Sequence, residues 1–337
     1  MTARSIGWAL VGLGDIAIKR VGPAILAQAD SRLQACVTRD PRRTAAVLAE
    51  FQPQRVYQRL DEALADPLVD VVYLATPVHL HAAQAIAALE AGRDVLVEKP
   101  MALNADEGRQ MCAVAAATGR RLAVAYYRRY WPRHQFVQEL VASGRLGQLV
   151  LARLMWHQWY HPSDDDPKAW RLRPDEAGGG VLADIGSHRI DLMSWWFGLP
   201  RRVVADVRTL VQPYAVEDAV TTLWDYADGP QVAASFHWCT EPRADELHLV
   251  GTRGALTLSP LDTGPVELAG MEGGPPADSY PRPENGHAPL IEAFARAVID
   301  GRPPRFDGSS GLAATTIIDA VYRSAQSGGW VELEPPA

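Results

Sequence analysis

The feature that most constrains the fold is the alternation of short apolar runs with helical patterns over roughly the first 125 residues. Val69–Thr76 is nearly continuous in apolar residues, as expected for a strand that is buried on both faces of a sheet. The helical patterns carry their own signals: Asn104, with Glu107 three residues later, resembles a capping box. Such alternation predicts parallel βαβ units in an α/β domain.

The same pattern predicts two helices early in the chain. Asp15–Ala29 follows the first apolar run, Ile6–Val11, and has helical spacing. Asp40 and Pro41 are expected to open the second helix, because Asp caps a helix N-terminus and Pro fits the first helical turn.

The pattern changes after Pro132. Gln148–Tyr160 has the uneven alternation of a long strand with one covered face. Two further apolar runs, Ala219–Tyr226 and Gln231–Thr240, flank Asp228-Gly229, which indicates a β-hairpin. This region is therefore expected to form an α+β domain with a largely antiparallel open sheet.

Two domains are expected from these patterns, and a chain of 337 residues is long enough for both. Residues 1–125 form the predicted parallel-sheet domain, and residues 126–337 form the predicted α+β domain. Within the second domain, residues 260–288 are rich in Pro and Gly and are expected to be a surface loop.

Composition and charge exclude several classes of protein. The chain has 33 Lys and Arg against 40 Asp and Glu, a net charge of −7. Because nucleic-acid binding relies on clustered Lys and Arg, this argues against a DNA or RNA partner. The sequence holds no run of about 20 apolar residues, so no membrane span is predicted. Cys36, Cys112 and Cys239 form neither a zinc pattern nor a disulfide pattern, which favours a reducing compartment and predicts a cytoplasmic protein.

A glycine-rich turn follows the first predicted strand, where residues 12–17 fit the pattern GxGxxA. Gly12 permits a tight turn, Gly14 lets a pyrophosphate approach the backbone, and Ala17 lets helix and strand pack closely. The N–H groups at the start of the helix would face the phosphates. A plain strand–helix turn is the alternative, but the βαβ context favours a dinucleotide site made by Gly12, Leu13, Gly14, Asp15 and Ile16.

The end of the second predicted strand bears on the choice of cofactor. An NAD site usually has Asp or Glu there, which holds the ribose 2′-hydroxyl. Here the sequence is Thr38-Arg39-Asp40, in which Thr38 can hydrogen-bond and Arg39 can pair with a 2′-phosphate. We interpret Asp40 as a helix cap and favour NADP over NAD. A solvent-exposed Arg39 without a phosphate partner is the alternative.

Glu98-Lys99-Pro100 follows the apolar strand Asp94–Val97. It therefore lies at the carboxyl end of a predicted parallel strand, where open α/β sheets bind ligands. A lone Lys is normally a solvated surface charge. Because Lys99 ends a buried strand in a nucleotide-binding domain, we interpret it as a functional residue.

A second group of polar residues lies in a predicted helix that starts at about Val181, after the run Gly178–Gly180. Asp184, His188 and Asp191 share one stripe of this otherwise apolar helix. Asp184 could orient His188, whose imidazole can move a proton near neutral pH. A hydrogen-bonded packing network is an equally good interpretation. A metal triad is a weaker one, since nothing else supplies a ligand cluster, and no metal is predicted.

Together these motifs resemble the Gfo/Idh/MocA family, which includes glucose–fructose oxidoreductase and inositol dehydrogenase. The residues that carry the resemblance are the Gly12-Leu13-Gly14 turn, Ala75-Thr76-Pro77 with His81, Glu98-Lys99-Pro100, Trp170-Arg171, and Asp184 with His188. The combination spans most of the chain in the expected order and is specific, whereas each motif alone is not.

The resemblance implies an N-terminal Rossmann domain and a C-terminal domain whose open sheet often forms the oligomer interface, and hence a homodimer or homotetramer. It implies NAD(P)-dependent oxidation or reduction of a sugar, a cyclitol or a related secondary alcohol. Lys99, Asp184 and His188 match the family's catalytic residues. The further positions implied to bind the cofactor are Thr76, Pro77, His81, Glu98, Lys99, Trp170 and Arg171.

The expected substrate contacts lie in both predicted domains. They are Lys99, Tyr127, Arg129, His157, His161, Asp184, His188 and Asp191. Val78 and Tyr127 stand where many members of the family have Asn. Both departures fall near the expected pocket, so the identity of the substrate does not carry over from the family.

Three other interpretations remain open. The first is an enzyme of the same fold that acts on a non-sugar, such as a dihydrodiol or a tetrapyrrole. The second is a non-catalytic, cofactor-sensing regulator, which the presence of both Lys99 and His188 disfavours. The third is a pure interaction protein, which leaves the glycine turn unexplained. The sequence also leaves open whether Lys99 or His188 exchanges the proton.

Overall fold

The structure is a computed structural model, and it describes residues 5–163, 165–166, 168–271 and 279–333. The chain divides into two units. The N-terminal unit runs to Tyr127 and also includes Pro283–Leu312. The C-terminal unit comprises Arg128–Arg282 and the chain from Ala313 onward. Each unit therefore takes its residues from two separate stretches of the sequence.

A parallel sheet forms the centre of the N-terminal unit. Its described strands are β1 (Ile6–Val11), β2 (Ser31–Val37), β3 (Arg55–Tyr57), β4 (Val71–Leu74), β5 (Asp94–Val97) and β6 (Leu122–Val124). These six described strands lie in the order β3-β2-β1-β4-β5-β6, and neighbours run parallel. Every residue of β1, β4 and β5 is buried, as expected for parallel strands covered on both faces. The strand order reverses between β1 and β4, and open parallel sheets bind ligands at such a point.

Helices connect these strands. They are the π-helix Ala17–Val21, α1 (Gly22–Leu26), α2 (Ala45–Phe51), α3 (Leu60–Leu64), α4 (His81–Glu90) and α5 (Ala105–Thr118). The predicted cap of α5 is confirmed, because Asn104 Oδ1 accepts the N–H of Glu107 at 2.9 Å. The carboxylate of Glu107 in turn accepts the N–H of Leu103 at 3.0 Å, which fixes the entry of the chain into the helix.

Two of the predicted helices differ from the structure. The prediction that Asp40 caps the second helix is wrong, because Asp40 Oδ1 accepts the backbone N–H of Arg42 at 3.0 Å and α2 begins only at Ala45. A short Asp side chain stabilises a turn by bonding the N–H two residues ahead, and here the turn is formed. The helix predicted over Asp15–Ala29 is present without a break from Asp15 to Leu26, with a π-helical turn over Ala17–Val21, and it ends three residues earlier than predicted.

A mixed sheet forms the centre of the C-terminal unit. Its described strands are β7 (Leu149–Trp159), β8 (Arg202–Arg208), β9 (Ala219–Asp225), β10 (Gln231–His237), β11 (Cys239–Gly251), β12 (Ala255–Leu258), β13 (Val266–Ala269) and β14 (Val331–Glu332). They lie in the order β13-β12-β11-β7-β10-β9-β8-β14. Neighbours run antiparallel except for the parallel pair β7 and β10. The predicted largely antiparallel sheet and the predicted β9–β10 hairpin are both confirmed.

The segment predicted to be a surface loop, residues 260–288, contains the strand β13 in its first half. The prediction is wrong for β13, which pairs with β12. Residues 272–278 lie outside the described part of the chain. Before β13, Asp262 accepts from Arg128 Nη2 at 2.7 Å and lies 3.2 Å from His134 Nε2. A buried ion pair, which the local sequence does not indicate, therefore fixes this segment.

One face of the C-terminal sheet is covered by helices. α6 (Pro132–Ala142) precedes β7. Between β7 and β8 lie the 3₁₀ helix Ala169–Leu172, α7 (Pro174–Ala177), the π-helix Leu182–Gly186 and α8 (Ser187–Phe197). Along β7, the alternate residues Ala152, Leu154 and Trp156 are at most 4% exposed. The guanidinium of Arg189 on α8 lies 5.7 Å from the Trp156 ring, so α8 packs on this covered face.

The chain returns to the N-terminal unit after Arg282. The last two helices are α9 (Ala288–Ile299), which belongs to that unit, and α10 (Gly308–Ser327), whose residues are divided between the units. Phe294 of α9 is 1% exposed, and its ring lies 6.1 Å from that of Trp8 in β1. α9 is therefore part of the core of the N-terminal unit. Among the described helices, none combines the length and the apolarity needed to cross a membrane.

We expect Phe294→Ala to lower the free energy of unfolding of the N-terminal unit by about 3–5 kcal/mol, because a cavity replaces a buried ring beside Trp8. Urea denaturation followed by tryptophan fluorescence measures the change. Leu26→Ala is the control, since Leu26 is 46% exposed and its loss should cost less than about 1 kcal/mol. Equal stability of the two variants would show that α9 does not contribute to this core.

Candidate active site

The glycine turn after β1 is tightly packed at Gly12 and open in front of Gly14. Gly12 has φ +87°, and a Cβ atom there would lie 2.8 Å from the carbonyl oxygen of Ala75. Glycine is therefore required at this position. Among the described residues, no heavy atom lies within 4 Å of a Cβ built on Gly14, so the space in front of Gly14 is open. Ala17 is fully buried under this turn. Leu13, Asp15 and Ile16 complete it, and Asp15 pairs with Lys19 at 2.5 Å.

The end of β2 presents positive charge. Thr38 is 8% exposed, and its hydroxyl lies 3.4 Å from that of Thr44. Arg39 is exposed, whereas the carboxylate of Asp40 bonds the backbone of the following turn. The acidic side chain nearest to this strand end is thus engaged by the protein's own backbone.

The loops that follow β4 and β5 are joined by a buried histidine. His81 Nε2 lies 2.9 Å from the carbonyl oxygen of Thr76, and Nδ1 lies 2.9 Å from that of Pro100. Burial lowers the pKa of His81. A neutral ring donates a hydrogen bond to one of the two carbonyls. The Thr76 hydroxyl donates to Gln84 Oε1 at 2.7 Å, so both Thr76 and Pro77 sit on a braced loop.

The residue before Lys99 is a buried carboxylate. Glu98 is 7% exposed and accepts hydrogen bonds from the Tyr73 hydroxyl at 2.7 Å and from the backbone N–H of Lys99 at 3.2 Å. Burial alone would raise the pKa of Glu98, but contacts with His287 and Tyr73 and the charge of Lys99 outweigh it, so the pKa is lowered. Glu98 is therefore ionised, and it fixes the backbone at Lys99.

Sequence reasoning missed His287, which contacts two of the predicted site residues. Its Nε2 lies 3.4 Å from Glu98 Oε1, and its ring packs on that of Tyr127 with centroids 4.3 Å apart. No local pattern marks His287, because both partners lie in distant parts of the sequence.

The glycine run before the predicted catalytic helix is held by Glu217 and Tyr322. The carboxylate of Glu217 accepts the N–H of Gly180 at 2.8 Å, the N–H of Leu182 at 3.0 Å and the hydroxyl of Tyr322 at 2.9 Å. A Cβ on Gly179 would overlap the Tyr322 hydroxyl, and one on Gly180 would overlap the Glu217 backbone. The run is therefore glycine because these two side chains pack directly against it.

Asp184 lies in the π-helix, one turn before His188. Its Oδ2 accepts from Arg171 Nη1 at 2.9 Å, and the Arg171 guanidinium lies 5.9 Å from the Trp170 ring. The structure thus brings two residues predicted to bind cofactor, Trp170 and Arg171, to a predicted catalytic carboxylate. His188 follows at the start of α8 and is 6% exposed. π-Helical turns are often found at functional sites.

Arg129 and Asp191, both predicted substrate contacts, are paired with each other. Arg129 Nη2 lies 2.7 Å from Asp191 Oδ1 and Nε lies 3.0 Å from Oδ2, with side chains 5% and 1% exposed. Burial raises the pKa of Asp191 to about 6, against the lowering effect of Arg129. The pair links the segment after β6 to α8.

The structure does not bring His157 to His188. His157 alternates with Trp156 on β7, so it lies on the face of the sheet opposite to α8. Its Nε2 lies 2.9 Å from the Ser235 hydroxyl, and its ring meets that of His237 edge to face at 4.6 Å. His161, beyond the end of β7, has Nδ1 2.7 Å from Gln212 Oε1.

Two family models match the chain. Residues 6–126 match the oxidoreductase family with an NAD-binding Rossmann fold, and residues 134–257 match the GFO/IDH/MocA C-terminal domain. The chain belongs to the Gfo/Idh/MocA family. The predicted Rossmann domain, the oxidoreductase class and a nicotinamide cofactor, NAD or NADP, are thereby confirmed.

Individual members of this family match along nearly the whole chain. D-xylose 1-dehydrogenase (NADP(+)) 2 of Haloferax volcanii is 31% identical over 329 residues, which cover 96% of this chain and 99% of the relative. The 1,5-anhydro-D-fructose reductase of Ensifer adhaerens is 30% identical over 337 residues, which cover 97% and 98%. The WlbA dehydrogenase of Bordetella pertussis, solved with NADH and UDP-GlcNAcA, has a TM-score of 0.90 at 26% identity, with 100% of both chains covered.

Proposed function

We propose that this family member transfers a hydride between its nicotinamide cofactor and a carbon that bears a hydroxyl or carbonyl group in a sugar, cyclitol or related polyol. The observation that carries the proposal is made at the carboxyl ends of the strands in the N-terminal sheet. There the open glycine turn follows β1, and Lys99, whose backbone is fixed by Glu98, follows the parallel strand β5. The relatives named for D-xylose and for 1,5-anhydro-D-fructose support a sugar-like substrate.

The cofactor site is proposed at the carboxyl ends of the parallel strands. The turn at Gly12 to Ile16 would bind the pyrophosphate through backbone N–H groups, and Thr38 with Arg39 would bind the adenosine ribose. Thr76 and Pro77, braced by His81, would bind near the nicotinamide, together with the remaining predicted residues Glu98, Lys99, Trp170 and Arg171. The bound nicotinamide supplies or accepts the hydride.

The protein's own residues would handle the charge and the proton. Lys99 would stabilise negative charge on the substrate oxygen, and His188 would exchange the proton with that oxygen. The alternative that Lys99 itself carries the proton stays open. Asp184, held by Arg171, would orient His188. Tyr127, Arg129 and Asp191 stay predictions as substrate contacts, whereas His157 is not kept because it lies on the sheet face opposite to α8 and His188.

We expect Lys99→Ala and His188→Ala each to lower kcat by about a hundredfold or more, because each removes a group that acts on the reacting oxygen. Absorbance measures the formation of NADPH or NADH from the oxidised cofactor with polyols and a dihydrodiol, and the consumption of NADPH or NADH with keto-sugars. Arg323→Ala, at an exposed position on α10, is the control, and NADPH fluorescence titration checks that each variant still binds cofactor. Wild-type turnover in both site variants would contradict the assignment.

The preference for NADP over NAD is also proposed. Arg39 is exposed at the end of β2, and the nearby Asp40 carboxylate already accepts a backbone N–H. One oxygen of the Asp40 carboxylate is thus engaged by the protein's own backbone, whereas Arg39 can pair with a 2′-phosphate.

We expect Arg39→Ser to raise the Kd for NADPH by about tenfold to a hundredfold, the equivalent of a charge-assisted hydrogen bond, and to change the Kd for NADH by less than about threefold. Fluorescence titration with each cofactor measures both constants. Arg208→Ser, at another exposed arginine on β8, is the control. If wild-type protein binds NADH more tightly than NADPH, the preference is reversed.

A homodimer or homotetramer formed through the C-terminal sheet is proposed as the assembly. The sheet face opposite to α8 carries exposed apolar side chains, including Trp159 (44%), Leu223 (48%) and Val250 (37%). Apolar groups in such number on one sheet face favour a protein contact.

We expect the double variant Leu223→Lys and Val250→Lys to dissociate this assembly, because it places charges in an apolar contact. Sedimentation velocity measures the mass of wild type and variant. Leu68→Lys is the control, since Leu68 is 56% exposed in the N-terminal unit. A monomeric wild type, or an unchanged mass in the double variant, would contradict the proposed interface.

A cytoplasmic location is proposed as well. Cys36, Cys112 and Cys239 are free thiols in the structure, which suits a reducing compartment.

A further inference from the structure

His287 lies in the loop that brings the chain back to the N-terminal unit, directly before α9. It is 2% exposed, and its backbone N–H donates to Asn285 Oδ1 at 3.0 Å. Asn285 Nδ2 in turn donates to the carbonyl oxygen of Arg20 at 2.8 Å. The backbone at His287 is thus fixed by a short loop. Through Asn285 this loop is hydrogen-bonded to the helical segment that follows the glycine turn.

The ring of His287 contacts two residues of the proposed site in different ways. Its Nε2 faces the ionised Glu98 carboxylate at 3.4 Å, and Glu98 accepts the backbone N–H of Lys99. Its ring lies against that of Tyr127 in a tilted arrangement, with an interplanar angle of 38°. The contact with Glu98 is electrostatic and affects Lys99 through the Glu98 carboxylate. The contact with Tyr127 is between rings and affects the position of the Tyr127 side chain directly.

We propose that His287 is a positioning residue with two effects. Through Glu98 it fixes the backbone of Lys99, and through its own ring it fixes the side chain of Tyr127, so that these two residues keep a constant position relative to each other. The inference rests on the proposed function, in which Lys99 acts on the substrate oxygen and Tyr127 contacts the substrate.

The physical basis is the cost of a buried carboxylate whose charge is poorly compensated. Glu98 keeps its hydrogen bonds from the Tyr73 hydroxyl and the Lys99 N–H without His287, but its buried charge would then be less well compensated. The carboxylate would then shift or take up a proton, and the backbone bond to Lys99 would weaken. A small displacement of a group that acts on a reacting atom lowers the rate strongly. Tyr127, by contrast, needs only a flat ring beside it.

Two substitutions separate these contacts. His287→Phe keeps a ring against Tyr127 and removes the polar group that faces Glu98. His287→Gln keeps an amide N–H within reach of Glu98 and removes the ring. We expect His287→Phe to lower kcat by about tenfold with little change in KM, and His287→Gln to raise KM severalfold with a smaller loss in kcat.

The pH profile gives a second measurement for His287→Phe. The charged and titratable groups that face Glu98 are Tyr73, His81, Lys99 and His287, with Tyr127 beyond Tyr73. In the wild type the pKa of Glu98 is lowered, so the carboxylate stays ionised until the solution is strongly acidic. Without the imidazole this pKa rises, and activity should be lost at a higher pH as the solution is acidified. His287→Gln should shift this acid limb less.

Hydrogen exchange reports on the same contact without any turnover. In the cofactor-free protein, the Lys99 amide should exchange at least about threefold faster in His287→Phe than in wild type, and less so in His287→Gln. The same two substitutions at Arg323, an exposed residue of α10, serve as controls. Thermal unfolding and NADPH titration show whether each variant is folded.

The inference is overturned if both variants keep kcat, KM and Lys99 exchange within twofold of wild type. It is also overturned if both lose activity alike and only in proportion to lost thermal stability, which would indicate a purely structural histidine. If the wild type turns over no member of the substrate panel, the proposed function fails, and the exchange rate of the Lys99 amide then decides whether His287 fixes that segment.

Discussion

The parallel pairing of β1 with β4 is the contact on which the nucleotide end of this protein depends. The two strands are neighbours although β2 and β3 lie between them in the sequence. The pairing brings the turn at Gly12 against the backbone of Ala75, so a residue with a side chain would collide there. The strand order reverses at this point, which is where open parallel sheets bind ligands, and the space in front of Gly14 is open.

In the C-terminal unit, buried carboxylates fix the helical segment that carries Asp184 and His188. Glu217 is satisfied by backbone N–H groups and Tyr322, and Asp191 is satisfied by Arg129. A buried carboxylate is costly unless it is paired, so each of these contacts favours a single position of the chain. The segment that carries Asp184 and His188 is consequently fixed at its start by Glu217 and near its end by Arg129.

Local patterns predicted much of the fold because the physics behind them is local. The β9–β10 hairpin follows from the Asp228-Gly229 turn, and the α5 cap follows from the spacing of Asn104 and Glu107. Local patterns also explain the failures. Asp40 can cap a helix or close a turn, and both uses have the same sequence signature. β13 forms because β12 offers a partner edge, which the Pro- and Gly-rich sequence around it does not reveal.

The sequence by itself determined the residue types that the chemistry needs and their order along the chain: the glycine turn, Lys99 after a buried strand, and Asp184 one turn before His188. The tertiary structure alone decided their partners. It paired Asp184 with Arg171 and Asp191 with Arg129, and it placed His287 beside Glu98. The reason is that side-chain pairing depends on which distant segments fold against each other, and neither periodicity nor turn chemistry carries that information.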